Sequence, residues 1–553
     1  MTQPGAPPRD IVAALRRRAE DAPGAVFCHF RARGAETTLT NADLLEGSSR
    51  YAAMFAAGGV AGGQQAAIVL KHSPDLYYAF LGAIMHGCIP SFMPHPSTRQ
   101  DPQLYWRNHC DVFEQTAIGI AVTYPENAAE LAAQFPRLQV FTPADAPAAA
   151  PAPARAVDPQ TTAFIQYSSG TTGLKKGVAL SHASVCEQVE RYSAALGLEA
   201  DDVIVSWLPL YHDMGLIACF MLPLLTGVPL VSLDAFEWVV QPSLMLSAMA
   251  ERRGTLAWLP NFAFHHLVRT LPEDFEADLS HVRAFIDCSE PCYAQSLRLF
   301  AGAMGRLGVT ERQLLVCYAM AEAVFAVTQT GPSPAHALTV DADELALGRA
   351  AELASGAKGG REILSVGRPI PGATIRIEGP DGEILADGAV GEVCIQASYM
   401  FSGYVARPDL NAARIRGGWY HSGDIGFTRG GELYLLGRND DLLILNGRNV
   451  FAHDIELAVN ETVADIKPGR CIALGVESGE TGSQELVLIA ESEAEAGRHP
   501  QIVRAARTAI FEHFGFLPRA VKLVPTGWLV KTTSGKIARS SNQAKYLEAY
   551  GQT

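Results

Sequence analysis

The sequence has no CxxC pair, no surplus of basic residues, and no long apolar run free of proline and glycine. Each absence excludes a class of protein. Of the ten cysteines only Cys288 and Cys292 stand close together, without a histidine beside them, so a closely spaced zinc site is not expected. They read as reduced thiols of a cytoplasmic protein. Lys+Arg 44 against Asp+Glu 58 leaves a net charge of −14, which argues against nucleic acid or an anionic membrane surface as the main partner. Any phosphate must therefore be met by local donors. Gly215 to Leu233 is uncharged, but it contains Pro223, Gly227 and Pro229. It reads as a buried helix, a turn and a buried strand near Val231, not as a membrane span. The first residues, MTQPGAPPRDIVAALRRRAEDAP, show no apolar run after their charges, so no secretory leader is expected.

What remains is a chain of 553 residues, 48% hydrophobic and 18% charged, too long for one ordinary core and of a globular composition. Strand-like and helical runs alternate over the first 140 residues: AVFCHFRAR, an amphipathic NADLLEGSSRYAAMFAAGG, QAAIVLK, then DLYYAFLGAIMHGCIP, a helix expected to end at Pro90. This order predicts α/β architecture with mostly parallel sheets covered by helices. Pro143 to Pro159 is an Ala/Pro spacer, expected to be extended and poorly ordered. Beyond Leu364 the strands shorten and turns multiply. The expected division is a large, multi-lobed body over residues 1–437 and a small α+β lid over 438–553, with a hinge at Asn439–Asp440.

Between the strand-like AFIQY and a helical run lies YSSGTTGLKKG, Tyr167 to Gly177. It misses the GxxxxGK[ST] pattern, because the position five after Gly170 is Lys175. The ingredients of an anion loop are nevertheless present. Gly170, Gly173 and Gly177 let backbone amides turn inward, Ser168, Ser169, Thr171 and Thr172 add hydroxyls, and Lys176 adds charge. Read alone, it is as compatible with a surface turn.

YSSGTTGLKKG resembles the phosphate loop of the adenylate-forming superfamily, and further motifs follow in that family's order. CYAMAE (Cys317–Glu322), HSGDIG (His421–Gly426), GRNDD (Gly437–Asp441) and KTTSGKIAR (Lys531–Arg539) are similar to its YGxTE, TGD, hinge and C-terminal lysine motifs. SWLPLYHDMGLI (Ser206–Ile217), WLPNFAFHHLVR (Trp258–Arg269), GRNVFAHDIE (Gly447–Glu456) and an insertion at about 335–362 bring the resemblance closest to the fatty acyl-AMP ligases.

The resemblance implies a distorted small β-barrel within the body. It also implies ATP and Mg²⁺ as cofactors, a carboxylic acid as substrate, and acyl transfer to a separate acyl carrier protein, with free CoA as the alternative acceptor. It implies a role for Lys536 as the lid electrophile, for Lys176, Thr171 and Thr172 on the phosphates, and for Glu322 as the metal ligand. Asp424 and Arg438 would meet the ribose. Tyr318, with Ala319, Met320 and Ala321 after it, and the strip Ser289, Glu290, Pro291 would line adenine. His212 would lie by the substrate carboxylate, Asp440 at the hinge, and Phe236, Trp238, Asn261 and Phe262 along the acyl pocket. Ala319 stands where the family has Gly, and Ala321 where most members have Thr. No aspartate stands where amino-acid-activating relatives pair with an α-ammonium, which favours an acyl or aryl acid. A non-catalytic relative would have lost Lys536, Asp424 or Glu322, and all three are present.

Overall fold

The computed structural model describes all residues except 1–7, 97–101, 152, 154, 169–175, 335, 342–344, 346, 352, 354–359, 446–447, 468, 478–483, 532–536 and 551–553. Its centre is a nine-stranded sheet. Leu314–Ala319, Ala284–Cys288, Leu256–Leu259, Ile204–Ser206, Leu230–Leu233 and Val26–Ala32 run parallel in that order, with antiparallel strands at both edges. The short runs IVS, LVSL and LAWL are buried at every position, as a sheet covered on both faces requires. A second parallel sheet of four strands holds Gln65–Val69 and Ile120–Thr123 at its centre. An antiparallel five-stranded sheet, including Gly391–Ala397, Trp419–Arg429 and Glu432–Arg438, forms the barrel-like lobe.

Residues 442–550 form a further α+β unit around the strand Gln484–Glu491, which pairs with Cys471–Glu477, Leu442–Leu445 and Ala520–Val524. Its side chains alternate between two small cores. Leu486, Leu488 and Ala490 enter one, and Val487 and Ile489 the other. Phe451 packs back into a cluster with Ile425, Phe427 and Tyr434 of the barrel lobe. Arg361, in the strand Gly360–Leu364, pairs with Asp454 at 2.9 Å.

Two local expectations need correction. The helix Asp75–His86 ends at Gly87, whose φ of 92° suits the left-handed stop, whereas Pro90 lies inside the strand Ile89–Phe92. The Ala/Pro spacer is pinned to the body rather than loose: Pro147 O accepts from Arg50 at 2.6 Å, and Arg155 donates to His86 O at 2.6 Å. The uncharged run after Asp213 follows its expected course of buried helix, turn and strand: a π-helical stretch, Met214–Met221, leads into the short helix Leu222–Thr226, and the strand Leu230–Leu233 comes after. Among the described residues no helix is long and apolar enough to cross a membrane.

Candidate functional site

The strands Thr162–Ser168 and Lys176–Ser181 form an antiparallel pair whose last register step sets Ser168 opposite Lys176. Residues 169–175 close that hairpin, so Ser169, Gly170, Thr171, Thr172 and Gly173 lie outside the described residues, as does the Ser168 side chain. Lys176 is half-buried. Its Nζ sits 5.8 Å above the ring of Tyr404, and burial draws its pKa down while Glu322 pulls it back up.

Glu322 stands on a single turn, Ala321–Ala323, at the end of the central-sheet strand Leu314–Ala319. The next residue, Val324, has φ 62° and ψ −53°, and Phe325 N donates to Ala323 O at 2.7 Å across it. This is the strained hand of γ-turn, at a β-branched residue that disfavours it. The turn holds Glu322 buried, with Tyr404 OH donating to its Oε1 at 2.6 Å.

Asp424 lies 106 residues beyond Tyr318, whose hydroxyl nonetheless donates to its Oδ2. Arg438, directly opposite Asp424 in the strand pairing, brings its Nε to 3.3 Å from Oδ1. Burial pushes the Asp424 carboxyl up, and the Arg438 guanidinium draws it back down. Ser422 Oγ accepts from Asp424 N at 3.0 Å, and Glu392 Oε1 accepts from Gly423 N at 3.0 Å, so the loop is fixed before any ligand arrives. Asp440 follows at once, in the turn Asn439–Asp441.

The parallel pairing of Cys288 with Cys317 sets the strip Ser289–Pro291 beside Tyr318, Ala319, Met320 and Ala321. Ser289 takes a left-handed φ of 70°, an uncommon conformation for a side-chain-bearing residue. Ala319 is not among the residues with positive φ, so the missing glycine costs no backbone strain there. Glu290 Oε2 accepts from Phe262 N at 3.2 Å, which joins the strip to the helix Asn261–Thr270.

His212 is half-buried, its ring 4.7 Å from that of Tyr211, whose carbonyl accepts from Gln166 at 2.9 Å. This bond ties the loop to the strand that leads into 169–175. Trp238 is fully buried and stacks on Trp207 at 3.6 Å with 3° between planes, and Phe262 stands edge-on to both. Among the described residues neither indole N–H has a hydrogen-bond partner, nor does Asn261 Oδ1. Phe236 lies farther out, edge-on to His95.

Lys536 lies outside the described residues. The bridge between Lys531 and Ile537 brackets it, and burial draws the Lys531 amine down to about 8, with Glu290 of the strip among the charges acting on it. Arg539 clasps Asp441 at 2.8 Å and Glu456 at 2.6 Å. Tyr404, Tyr420 and Trp207 were not singled out in sequence. Trp207 carried a signal, its place in SWLPLYHDMGLI, whereas the two tyrosines carried none beyond their type.

A second cluster, Glu378, Cys394 and His421, has metal-like spacing. It already holds cations: Arg376 pairs with Glu378, and Arg416 donates to His421 Nδ1 at 2.6 Å. These guanidinium groups supply the positive charge that a metal would.

Near Lys176, at the end of the described strand pair, lie two buried carboxylates held by phenols and an arginine, with the strip Ser289–Pro291 beside Tyr318. Glu322 offers Mg²⁺ the hard oxygen it prefers, and Asp424, with its partners in place, suits a pair of sugar hydroxyls. Fold and site define an adenylate-forming enzyme. The AMP-binding enzyme family profile matches residues 15–405, and the chain belongs to that family. It is 28% identical over 522 residues to a 4-hydroxyphenylalkanoate adenylyltransferase of Mycobacterium tuberculosis, covering 88% of this chain and 82% of that one. It is 27% identical over 510 residues to the medium-chain-fatty-acid–[acyl-carrier-protein] ligase JamA of Moorena producens, covering 88% and 86%. A solved structure of the fatty acyl-adenylate ligases of E. coli and L. pneumophila superposes with a TM-score of 0.89 at 26% identity, over 99% of this chain and 98% of that one.

Proposed function

We propose that the chain joins a carboxylic acid, a fatty acid by preference, to AMP with release of pyrophosphate, and then passes the acyl group to the phosphopantetheine thiol of a separate acyl carrier protein. The observation that carries this reading is the pair of buried carboxylates, Glu322 and Asp424, set beside Lys176 and Arg438. An acid is already ionised at neutral pH, so its attack on the α-phosphorus needs no base. What the reaction needs is relief of anion–anion repulsion and stabilisation of charge on the transferring phosphoryl group.

Lys176, Thr171 and Thr172 hold the phosphates that leave. Asp424 and Arg438 orient the ribose, Tyr318 and the Ser289–Pro291 strip receive adenine, and His212 faces the incoming carboxylate. Glu322 would hold Mg²⁺, which when bound would neutralise phosphate charge. Lys536 is brought in by the lid, residues 438–553, turning about Asn439–Asp440. The new bond joins the acid oxygen to the α-phosphorus, and the bond to the β-phosphate oxygen breaks. The acyl carbon then passes to the thiol sulfur as AMP departs.

The names of the relatives support both a fatty and an aryl acid. In DAFEWVVQPSLM no aspartate stands where amino-acid-activating relatives pair with an α-ammonium, and Asp234 caps its own helix through Phe236 N and Glu237 N, which supports either over an amino acid. Glu237 of that segment is engaged with the backbone N–H of Arg33 at 2.7 Å. The test is pyrophosphate release over fatty acids of graded length and aryl acids, followed by transfer to CoA or to a pantetheinylated carrier. Abundant acyl-CoA from CoA alone would replace the carrier reading with an acyl-CoA synthetase. A Lys536→Ala variant that kept full acid-dependent release would remove that lysine's role.

A further inference from the structure

We propose that Tyr404 is a positioning residue that sets the Glu322 carboxylate for the metal ion and ties it to the strand leaving the phosphate loop. The inference rests on the reading of Glu322 as the metal ligand.

Tyr404 donates to Glu322 Oε1 at 2.6 Å, a length characteristic of a phenol on an ionised carboxylate. Because that bond uses the Tyr404 proton, the 3.0 Å contact with Tyr420 has Tyr420 donating to the Tyr404 oxygen. The chain of donors therefore runs one way, from Tyr420 through Tyr404 to the carboxylate. All three residues are buried, and the Phe401 ring packs against both tyrosines at 4.9 and 5.6 Å.

The same segment is anchored at both ends. Phe401 N donates to Glu322 O at 2.9 Å, so the backbone of the turn is held as well as its side chain. Gly403 and Tyr404 pair with Ala179 and Val178, and Val405 N donates to Gly177 O at 2.8 Å. These partners directly follow Lys176, whose amine lies over the Tyr404 ring. A shift of the strand after the loop therefore moves the phenol that holds Glu322. Groups that orient a metal ligand in this way commonly govern affinity as strongly as the ligands do.

The test is calorimetric titration of Mg²⁺, and of Mn²⁺ as a probe, into the full chain with ATP and no acid, so that binding is read without turnover. Tyr404→Phe should weaken metal binding by about 10–100-fold, while ATP binding in EDTA stays within about twofold of wild type, a split that general loss of packing would not produce. Tyr420→Phe should weaken metal binding less, in the same direction. Unchanged metal affinity in Tyr404→Phe beside a loss in Glu322→Gln would overturn this inference alone. Unchanged affinity in Glu322→Gln would remove the metal role of Glu322 and this inference with it. Should Tyr404→Phe fail to fold, Tyr420→Phe decides: weaker metal binding supports the inference, and none overturns it.

Discussion

Aromatic residues build both sides of the proposed site, in opposite ways. On the nucleotide side they are tyrosines, and two hydroxyls are spent on charge, Tyr318 on Asp424 and Tyr404 on Glu322, with Tyr420 supporting Tyr404. On the acid side they are Trp207, Trp238 and Phe262, stacked or edge-on, with indole N–H groups that meet no partner among the described residues. Charge that must be aimed needs a polar handle at a fixed distance, whereas an acyl or aryl tail needs only apolar shape. The first side should therefore depend on single oxygen atoms more than on ring volume. The second is the reverse.

The comparison can be broken at either side. Trp238→Ala empties a fully buried indole position, and about 3–5 kcal/mol of stability should go with it. In the surviving protein the preference among acids should change while half-saturation by ATP does not. Chemical denaturation and pyrophosphate release with an acid series read the two effects, and an altered ATP dependence would erase the distinction between the sides.

Asp424→Ala should act conversely. Loss of a charge-assisted contact, with the Tyr318 hydroxyl and Arg438 left behind, should lower kcat/KM for ATP about a hundredfold and leave the acid preference intact. A drop under threefold would mean that ribose is held elsewhere.

Asp287 lies beneath the strip that joins the sides. It is fully buried, and among the described residues its oxygens meet no donor at strict hydrogen-bond geometry, although the Cys292 thiol and the Cys288 backbone N–H act on it. Burial, with the charge of Glu290, pushes its carboxyl well above the usual range. A carboxyl raised in the folded state lowers stability at every pH above its unfolded value of about 3.9. Asp287→Asn should therefore stabilise by about 1–2 kcal/mol at neutral pH, an advantage that fades as pH falls toward 4. Urea midpoints across that range measure it, and equal midpoints at pH 7 would refute the assignment.

Tyr318→Phe is the mildest change, about tenfold on kcat/KM for ATP for one lost hydrogen bond to a charged group. Its pH signature is more telling. Burial raises the Asp424 carboxyl, and the Tyr318 bond opposes that rise. Without the bond the carboxyl should take its proton at higher pH. ATP half-saturation should climb in wild type as acidification protonates Asp424, and should begin to climb at a higher pH in the variant. An unmoved profile would count against Asp424 as the ribose contact.

The parallel sheets were legible because strand-like and helical runs, such as QAAIVLK and DLYYAFLGAIMHGCIP, alternate along the first 140 residues. The strand before YSSGTTGLKKG was legible from AFIQY, whereas a helical run was expected directly after the stretch, and the strand Lys176–Ser181 that pairs antiparallel with the first was missed. The end of Asp75–His86 was misplaced because proline was read as the stop, whereas Gly87 closes the helix and leaves Pro90 for a short strand. The spacer 143–159 was judged by composition alone, and composition cannot see that Arg50 reaches Pro147 O or that the spacer's own Arg155 reaches His86 O.

The sequence by itself determined the alternation of elements, the order of the motifs and the presence of Glu322, Asp424 and Lys536, because these are written in local pattern and residue type. Only the tertiary structure decided that Tyr404 would reach Glu322 across 82 positions and Tyr318 would reach Asp424 across 106. Strand register and buried packing set those distances, and neither leaves a mark on the residues between.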